Sequence, residues 1–561
     1  MEDTEMQIYI KSKYFMSLCA VMLLSLLAGS LQFLEAAGKI NRPIIASSKD
    51  GIAETESGKV RGYIHTGTFV FKGIPYAQAE RFMPPEKVKP WVGPFRSSLM
   101  LGPRCPTSSQ GRQNADRDRD EEAFTASGGR GEGIQSQSEN CQVLNIWTQG
   151  LMDGGKRPVM VWLHGGGFSS GSAGGYDGEN LSKKGGMVVV TLNHRLNVLG
   201  FLDLSAFGDK YKYSGNVGIM DIVAALNWVK NNISNFGGDP GNVTIFGQSG
   251  GGGKVNTLMA APSAKGLFHR AITQSGSTIK VMESQISKKA GIAVAEQFGL
   301  TASNIDELQK VPYDALLKAG EDSWLKVSAE MKADPALVGF RYGWAPVVDG
   351  DFLPSHPFYP TAPEISKDIP LMVGCTINEI FPSLTNQSLR NSTQAQVEEF
   401  LKKRYGDKKA AAYIEEFGKM YPGYTPGDLL DTDINFRANV LRQALLKSAQ
   451  NGAPVYVYLF TWQSPVLDGV FKAIHTIEIP FAFNNINLAE HLTGGGPDAH
   501  ALADKVSQAW INFARTGNPN HAGLPKWPAF NDKDRSTMIF DNECLVKKNH
   551  DRRLLEIVGD N

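Results

Sequence analysis

The sequence predicts an α/β fold in which a mostly parallel sheet is covered by helices on both faces. Two observations predict it: short, continuous apolar runs of strand length recur through the first half of the chain, and helix-length amphipathic stretches lie between them. The runs are Val159-Met160-Val161-Trp162-Leu163, Met187-Val188-Val189-Val190-Thr191-Leu192 and Val243-Thr244-Ile245-Phe246. None alternates apolar with polar, so each fits a strand buried on both faces, the position that strands of a parallel sheet occupy. Ile219 to Ile233 carries helical periodicity between two of them. In such sheets a functional site gathers at the carboxyl ends of the strands.

The remaining segments fit around that sheet. Helical patterns run from Ser287 to about Asp334 and from Thr393 to Tyr421, as a cap or as helices packed on the sheet. Thr107 to Gln137 is rich in Gly, Ser, Gln, Arg and Asp with no apolar period, and reads as a solvated loop. At the N-terminus, Lys11 and Lys13 precede an apolar stretch from Tyr14 to Ala28, followed by small residues at Ala28-Gly29-Ser30 and Ala36-Ala37. That order of charged, apolar and small residues predicts an export signal over residues 1–37 that is removed, without a lipobox-like stretch before Cys19. The expectation is a secreted or periplasmic protein whose residues 38–561 form a single domain, with no membrane attachment beyond the signal.

Composition narrows the partner. In 561 residues, 42% are hydrophobic and 20% charged, which is enough for a large core. Lys+Arg and Asp+Glu both total 57, so no net field draws the chain to nucleic acid or to an acidic membrane surface. A small-molecule partner is expected. Cys375 sits in the strand-like run Leu371-Met372-Val373-Gly374 and reads as a buried thiol. Neither metal nor cofactor is expected, because no Cys/His cluster has the spacing of metal ligands.

Gly247-Gln248-Ser249-Gly250-Gly251 follows the Val243–Phe246 strand and precedes a helix-like stretch, Lys254 to Met259. A serine on a sharp strand-to-helix turn holds strained backbone angles, and glycine neighbours let the turn close. Its hydroxyl projects at a helix N-terminus that favours a developing anion. His164-Gly165-Gly166-Gly167-Phe168 follows another predicted strand and supplies the second half of an oxyanion hole, with amides of Gly166 and Gly167 joining that of Gly250. A serine hydroxyl needs a base. In the chain order Ser, acid, His, that base is one of His269, His356, His475, His491, His500, His521 and His550. His475 is favoured, because it lies between the run Val455 to Phe460 and the apolar Ile479 to Phe483. Glu379, just past Leu371–Val373 and Thr376-Ile377-Asn378, is the leading acid, with Asp349 and Glu364 as rivals.

Taken together these motifs resemble the type-B carboxylesterases, the carboxylesterase and cholinesterase family, and within it the bacterial para-nitrobenzyl-esterase-like members. The likeness runs through Phe71 to Ala77, Arg81-Phe82, Glu139-Asn140-Cys141, Leu144 to Trp147, Asn193 to Leu196, Phe236 to Pro240, Trp344 to Gly350, Trp510 to Gly517 and Trp527-Pro528. It implies an α/β-hydrolase fold with a small N-terminal antiparallel sheet, and hydrolysis of carboxylic esters. It further implies Ser249 as nucleophile, Glu379 as acid, His475 in His-x-x-Glu-Ile-Pro-Phe as base, and Gly166, Gly167 and Gly250 as oxyanion hole. A disulfide between Cys105 and Cys141, and structural ion pairs Arg81–Glu139 and Arg195–Asp221, follow from the same resemblance. The chain departs from the family pattern at three places, with Gly250 for Ala, Asn140 for Asp, and Ile380 for the Gly after the acid. The rival reading is a non-catalytic recognition protein, since adhesion ectodomains resemble this family; such relatives tend to lose the serine or its base. Trp344, Phe168 and Phe381 are candidate pocket walls.

Overall fold

A computed structural model of the chain describes residues 44–107, 135–331 and 343–558. Its main sheet has twelve strands. Seven of them, Val188–Leu192, Arg157–Leu163, Gly238–Gln248, Arg270–Gln274, Leu371–Thr376, Val455–Phe460 and Thr537–Phe540, lie side by side in parallel. Antiparallel strands close both edges: Val143–Thr148, Thr68–Pro75, Tyr63–His65 and Ile44–Ile45 on one side, Leu545–Lys547 on the other.

The continuous apolar runs have the expected cause. Along Arg157–Leu163, Val159, Val161 and Leu163 enter one core, and Met160 and Trp162 enter the core on the opposite face. Helices supply the other half of each core. Val217–Asn232 covers the first face with Ile219, Ile222, Leu226 and Val229, and Pro497–Thr516 covers the second with Leu502, Val506 and Trp510. The predicted cap regions are helical at Ser284–Gln297, Tyr313–Met331, Gln394–Tyr405 and Asp407–Met420.

Three expectations need adjusting or lie beyond these residues. The small separate sheet is mixed: Ile52–Thr55 pairs antiparallel with Gly58–Arg61, but Arg96–Ser97 joins the latter in parallel. Cys105 and Cys141 are held as two free, buried thiols, so the implied disulfide is not formed here. They touch each other, and burial, reinforced by the Cys105 thiol, pushes the Cys141 thiol well above its ordinary range. The export signal and most of the Thr107–Gln137 loop fall outside the described residues. Both ion pairs are present: Arg195 meets Asp221 at 2.7 Å, buried, and Arg81 meets Glu139 at 2.5 Å. Cys375 is a buried thiol.

Candidate active site

The carboxyl ends of four parallel strands bring the site together. The strand Gly238–Gln248 ends at Ser249, whose φ of 57° and ψ of −126° place it at the turn into the helix Gly250–Ala260. Such angles are sterically unfavourable for a residue with a Cβ, and the surrounding glycines are what let the chain cross here. A Cβ on Gly251 would sit 1.9 Å from the carbonyl oxygen of Leu163, on the neighbouring strand. Ser249 is half-buried, and its amide donates to the Gln274 carbonyl at 2.8 Å, tying the turn to the next strand.

The glycine loop after Arg157–Leu163 lies against that turn. Gly166 and Gly167 both take positive φ, 86° and 63°. A Cβ on Gly250 would fall 2.2 Å from the Gly167 oxygen and 2.4 Å from its Cα, so the two backbones are in direct contact. Among the described residues, none of the amides of Gly166, Gly167 and Gly250 donates a hydrogen bond. Free amides at a helix N-terminus can receive an anionic oxygen.

Glu379 follows the strand Leu371–Thr376, and His475 lies beyond Val455–Phe460, the adjacent strand. Glu379 is fully buried. Its Oε2 meets Nδ1 of His475, its Oε1 accepts from the Thr376 amide at 2.9 Å, and its carbonyl accepts from the His475 amide at 3.0 Å. Burial alone would lower the His475 pKa, but the charge and hydrogen bond of Glu379, with smaller pulls from Glu478 and Asp433, raise it. The rivals are engaged elsewhere. Asp349 accepts from the amides of Asp351 and Leu353 and from the side chain of Asn216, and Glu364 is exposed beside Lys367.

Ser249 Oγ has no hydrogen bond to His475 among the described residues. The side-chain Nε2 of Gln248, the residue before the serine, instead lies 3.2 Å from Nε2 and 3.3 Å from Nδ1 of the ring. Catalytic hydrogen bonds are often loose before substrate binds. Beside the acid loop is a cavity of about 360 Å³, lined among others by Ile380, Phe381, Arg404 and Asp433. Of the three aromatics expected as walls, Phe381 borders it. Phe168 packs edge-on to Phe201, and Trp344 edge-on to Trp324. Burial and the nearby Glu379 charge push the Asp433 carboxyl up to about 6. Among the described residues no cluster of His, Cys, Asp and Glu could hold a metal, and no helix is long and apolar enough to cross a membrane.

The family model described as "Carboxylesterase family" matches residues 49–556. The chain belongs to the carboxylesterase family. It is an enzyme that hydrolyses carboxylic esters. It is 34% identical to the para-nitrobenzyl esterase of Bacillus subtilis, over 88% of this chain and 96% of that one. It is 33% identical to the phenmedipham hydrolase of Pseudarthrobacter oxydans, over 88% and 95%. A solved esterase from Clostridium hathewayi, described as able to hydrolyse aliphatic aromatic polyesters, superposes with a TM-score of 0.78 at 38% identity, covering 92% of this chain and 99% of that one.

Sequence reasoning missed several residues of this carboxylesterase that touch the site. Glu478, the last residue of His-x-x-Glu, is buried, and among the described residues its side chain reaches Gln274 and Ser275, both at 3.5 Å; burial, then the Glu379 charge, push it up to about 7. Its place in the motif was a signal; its burial was not visible. Thr476 takes φ 83°, where a β-branched residue is strained. Thr476→Gly is expected to stabilise the carboxylesterase by about 1 kcal/mol, the relief of strain outweighing glycine's greater freedom when unfolded. A urea-unfolding midpoint that falls would contradict this.

Proposed function

We propose that this carboxylesterase cleaves small to medium esters through an acyl-enzyme on Ser249. His475 takes the hydroxyl proton as Oγ attacks the ester carbonyl carbon, forming a tetrahedral intermediate whose oxyanion lies on the amides of Gly166, Gly167 and Gly250. The carbon–oxygen bond to the alcohol then breaks, and His475 returns the proton to the departing oxygen. Water, deprotonated by the same imidazole, attacks the acyl-enzyme, and the acid leaves as Ser249 regains its proton. Glu379 keeps the ring in the tautomer that leaves Nε2 free to accept, and stabilises the imidazolium once formed.

The observation that carries this reading is the buried Glu379–His475 pair, whose ring meets the side chain of Gln248, the residue before Ser249, while the amides of Gly166, Gly167 and Gly250 donate to nothing among the described residues. The proposed reaction needs no cofactor, and the balanced net charge of the chain favours a small ester over nucleic acid. We further propose export to a secreted or periplasmic location, with residues 38–561 as one domain. In that oxidising setting the touching thiols of Cys105 and Cys141 join as the disulfide that the family resemblance implied.

A fluorophosphonate probe followed by peptide mapping tests the nucleophile, with labelling confined to Ser249 as the expected result. Labelling of a different residue would remove the assignment. Running the same enzyme over esters of graded acyl and alcohol length, with soluble polyester fragments at the long end, places the size limit.

A further inference from the structure

The elbow helix carries a buried cation that the ester chemistry above leaves without a task. Lys254 is fully buried, and among the described residues its one hydrogen bond runs from Nζ to the carbonyl of His164 at 2.8 Å. Among the described residues no carboxylate pairs with it, and burial alone pulls its pKa down to about 7. A charge left unpaired in the interior is costly, and a methionine of similar length would fill the space without that cost.

Its placement follows from the helix. Lys254 is four residues beyond Gly250, so it lies on the same face one turn on, and helical side chains lean back toward the N-terminus. Nζ therefore ends near the turn. It binds the carbonyl of His164, which opens the glycine loop, and lies 5.7 Å from the ring centre of Phe168, which closes it. A Cβ on Gly251 would be 3.0 Å from that same His164 oxygen, so the ammonium and the first helical turn share one acceptor's surroundings.

The neighbouring rings leave the charge to Lys254. His164 and His194 stack 5.2 Å apart. Burial first, then the Lys254 charge, push His164 down to about 3 and His194 well below its ordinary value. Their Nε2 atoms have no hydrogen-bond partner among the described residues. Arg195, which follows His194 in sequence, is bound to Asp221.

We propose that Lys254 is a positioning residue for ester hydrolysis, whose ammonium ties both ends of the His164–Phe168 loop to the elbow and places positive charge behind the oxyanion. The inference rests on the assignment of Ser249 and its three amides above. A cation behind the amides strengthens with the oxyanion and contributes little to the neutral ester, so it acts on kcat more than on KM.

Purified full-length Lys254→Met and Lys254→Gln are compared with wild type and Ser249→Ala. The expected result is a fall in kcat of about ten- to a hundredfold in both Lys254 variants, with KM within about twofold. Affinity for a trifluoromethyl ketone, which forms a tetrahedral adduct with the serine, falls in step. The thermal midpoint of Lys254→Met stays level or rises, because an unpaired buried charge has gone. Wild-type kcat in Lys254→Met overturns the inference. So does wild-type kcat in Lys254→Gln, which keeps a donor without the charge, or a loss of activity explained by a lowered midpoint. If Ser249→Ala retains activity, the serine assignment itself has failed, whatever the Lys254 variants do.

Discussion

Ser249→Ala is expected to lower kcat on a soluble p-nitrophenyl ester by about 10⁵- to 10⁶-fold while leaving the folded state intact. The change is structurally mild for a definite reason. Alanine has the same Cβ, so the backbone at φ 57° carries the strain it already carries, and the half-buried hydroxyl has no hydrogen-bond partner among the described residues to orphan. What remains should be a small residual rate, since the amides still polarise a bound carbonyl without a nucleophile. Circular dichroism matching wild type, with turnover lost, is the expected pair of measurements. A variant within tenfold of the wild-type rate would show that another group attacks the ester.

Glu379→Gln should cost about 10⁴-fold in kcat, because it keeps the shape and removes what fixes the imidazole. With Oε1 held by the Thr376 amide, a glutamine there turns its NH₂ toward Nδ1 of His475. Nδ1 must then accept, Nε2 carries the proton, and the ring cannot take one from the serine. The pH profile gives an independent check. The proposed base works only when neutral, so wild-type activity is expected to fall as pH drops through the raised pKa of His475. Without the Glu379 charge, burial is opposed less, and the acid limb of kcat/KM should move to lower pH. An unmoved limb together with a near-normal rate would mean that the carboxylate does not govern the ring.

The parts of this molecule that were legible in sequence are those where burial leaves a pattern. The strands Arg157–Leu163 and Gly238–Gln248 stood out because both faces of the sheet are covered, which demands unbroken apolar runs near their carboxyl ends. The turn at Ser249 stood out because only glycine tolerates the approach of Leu163. Arg96–Ser97 left no mark, being two exposed residues that join their sheet through backbone alone, so the parallel pairing could not be foreseen. The pairing of Glu379 with His475 spans 96 positions and depends on two adjacent strand ends, which local pattern could favour but not decide. Lys254 was the least visible. A lysine in a helix is ordinarily solvated, and nothing around it in sequence betrays that the His164–Phe168 loop folds over its head.

Gly250 and Gly167 occupy a space that one methyl group would fill. Position 250 is therefore not an independent variable for anyone reshaping the mouth of this enzyme. Placing an alanine there first requires the segment from residue 164 to 168 to retreat, and the retreat would carry with it two of the amides proposed to receive the anion. Changes at the two sites are coupled through backbone, and an evolving lineage would have to alter the loop before, or together with, the residue after Ser249.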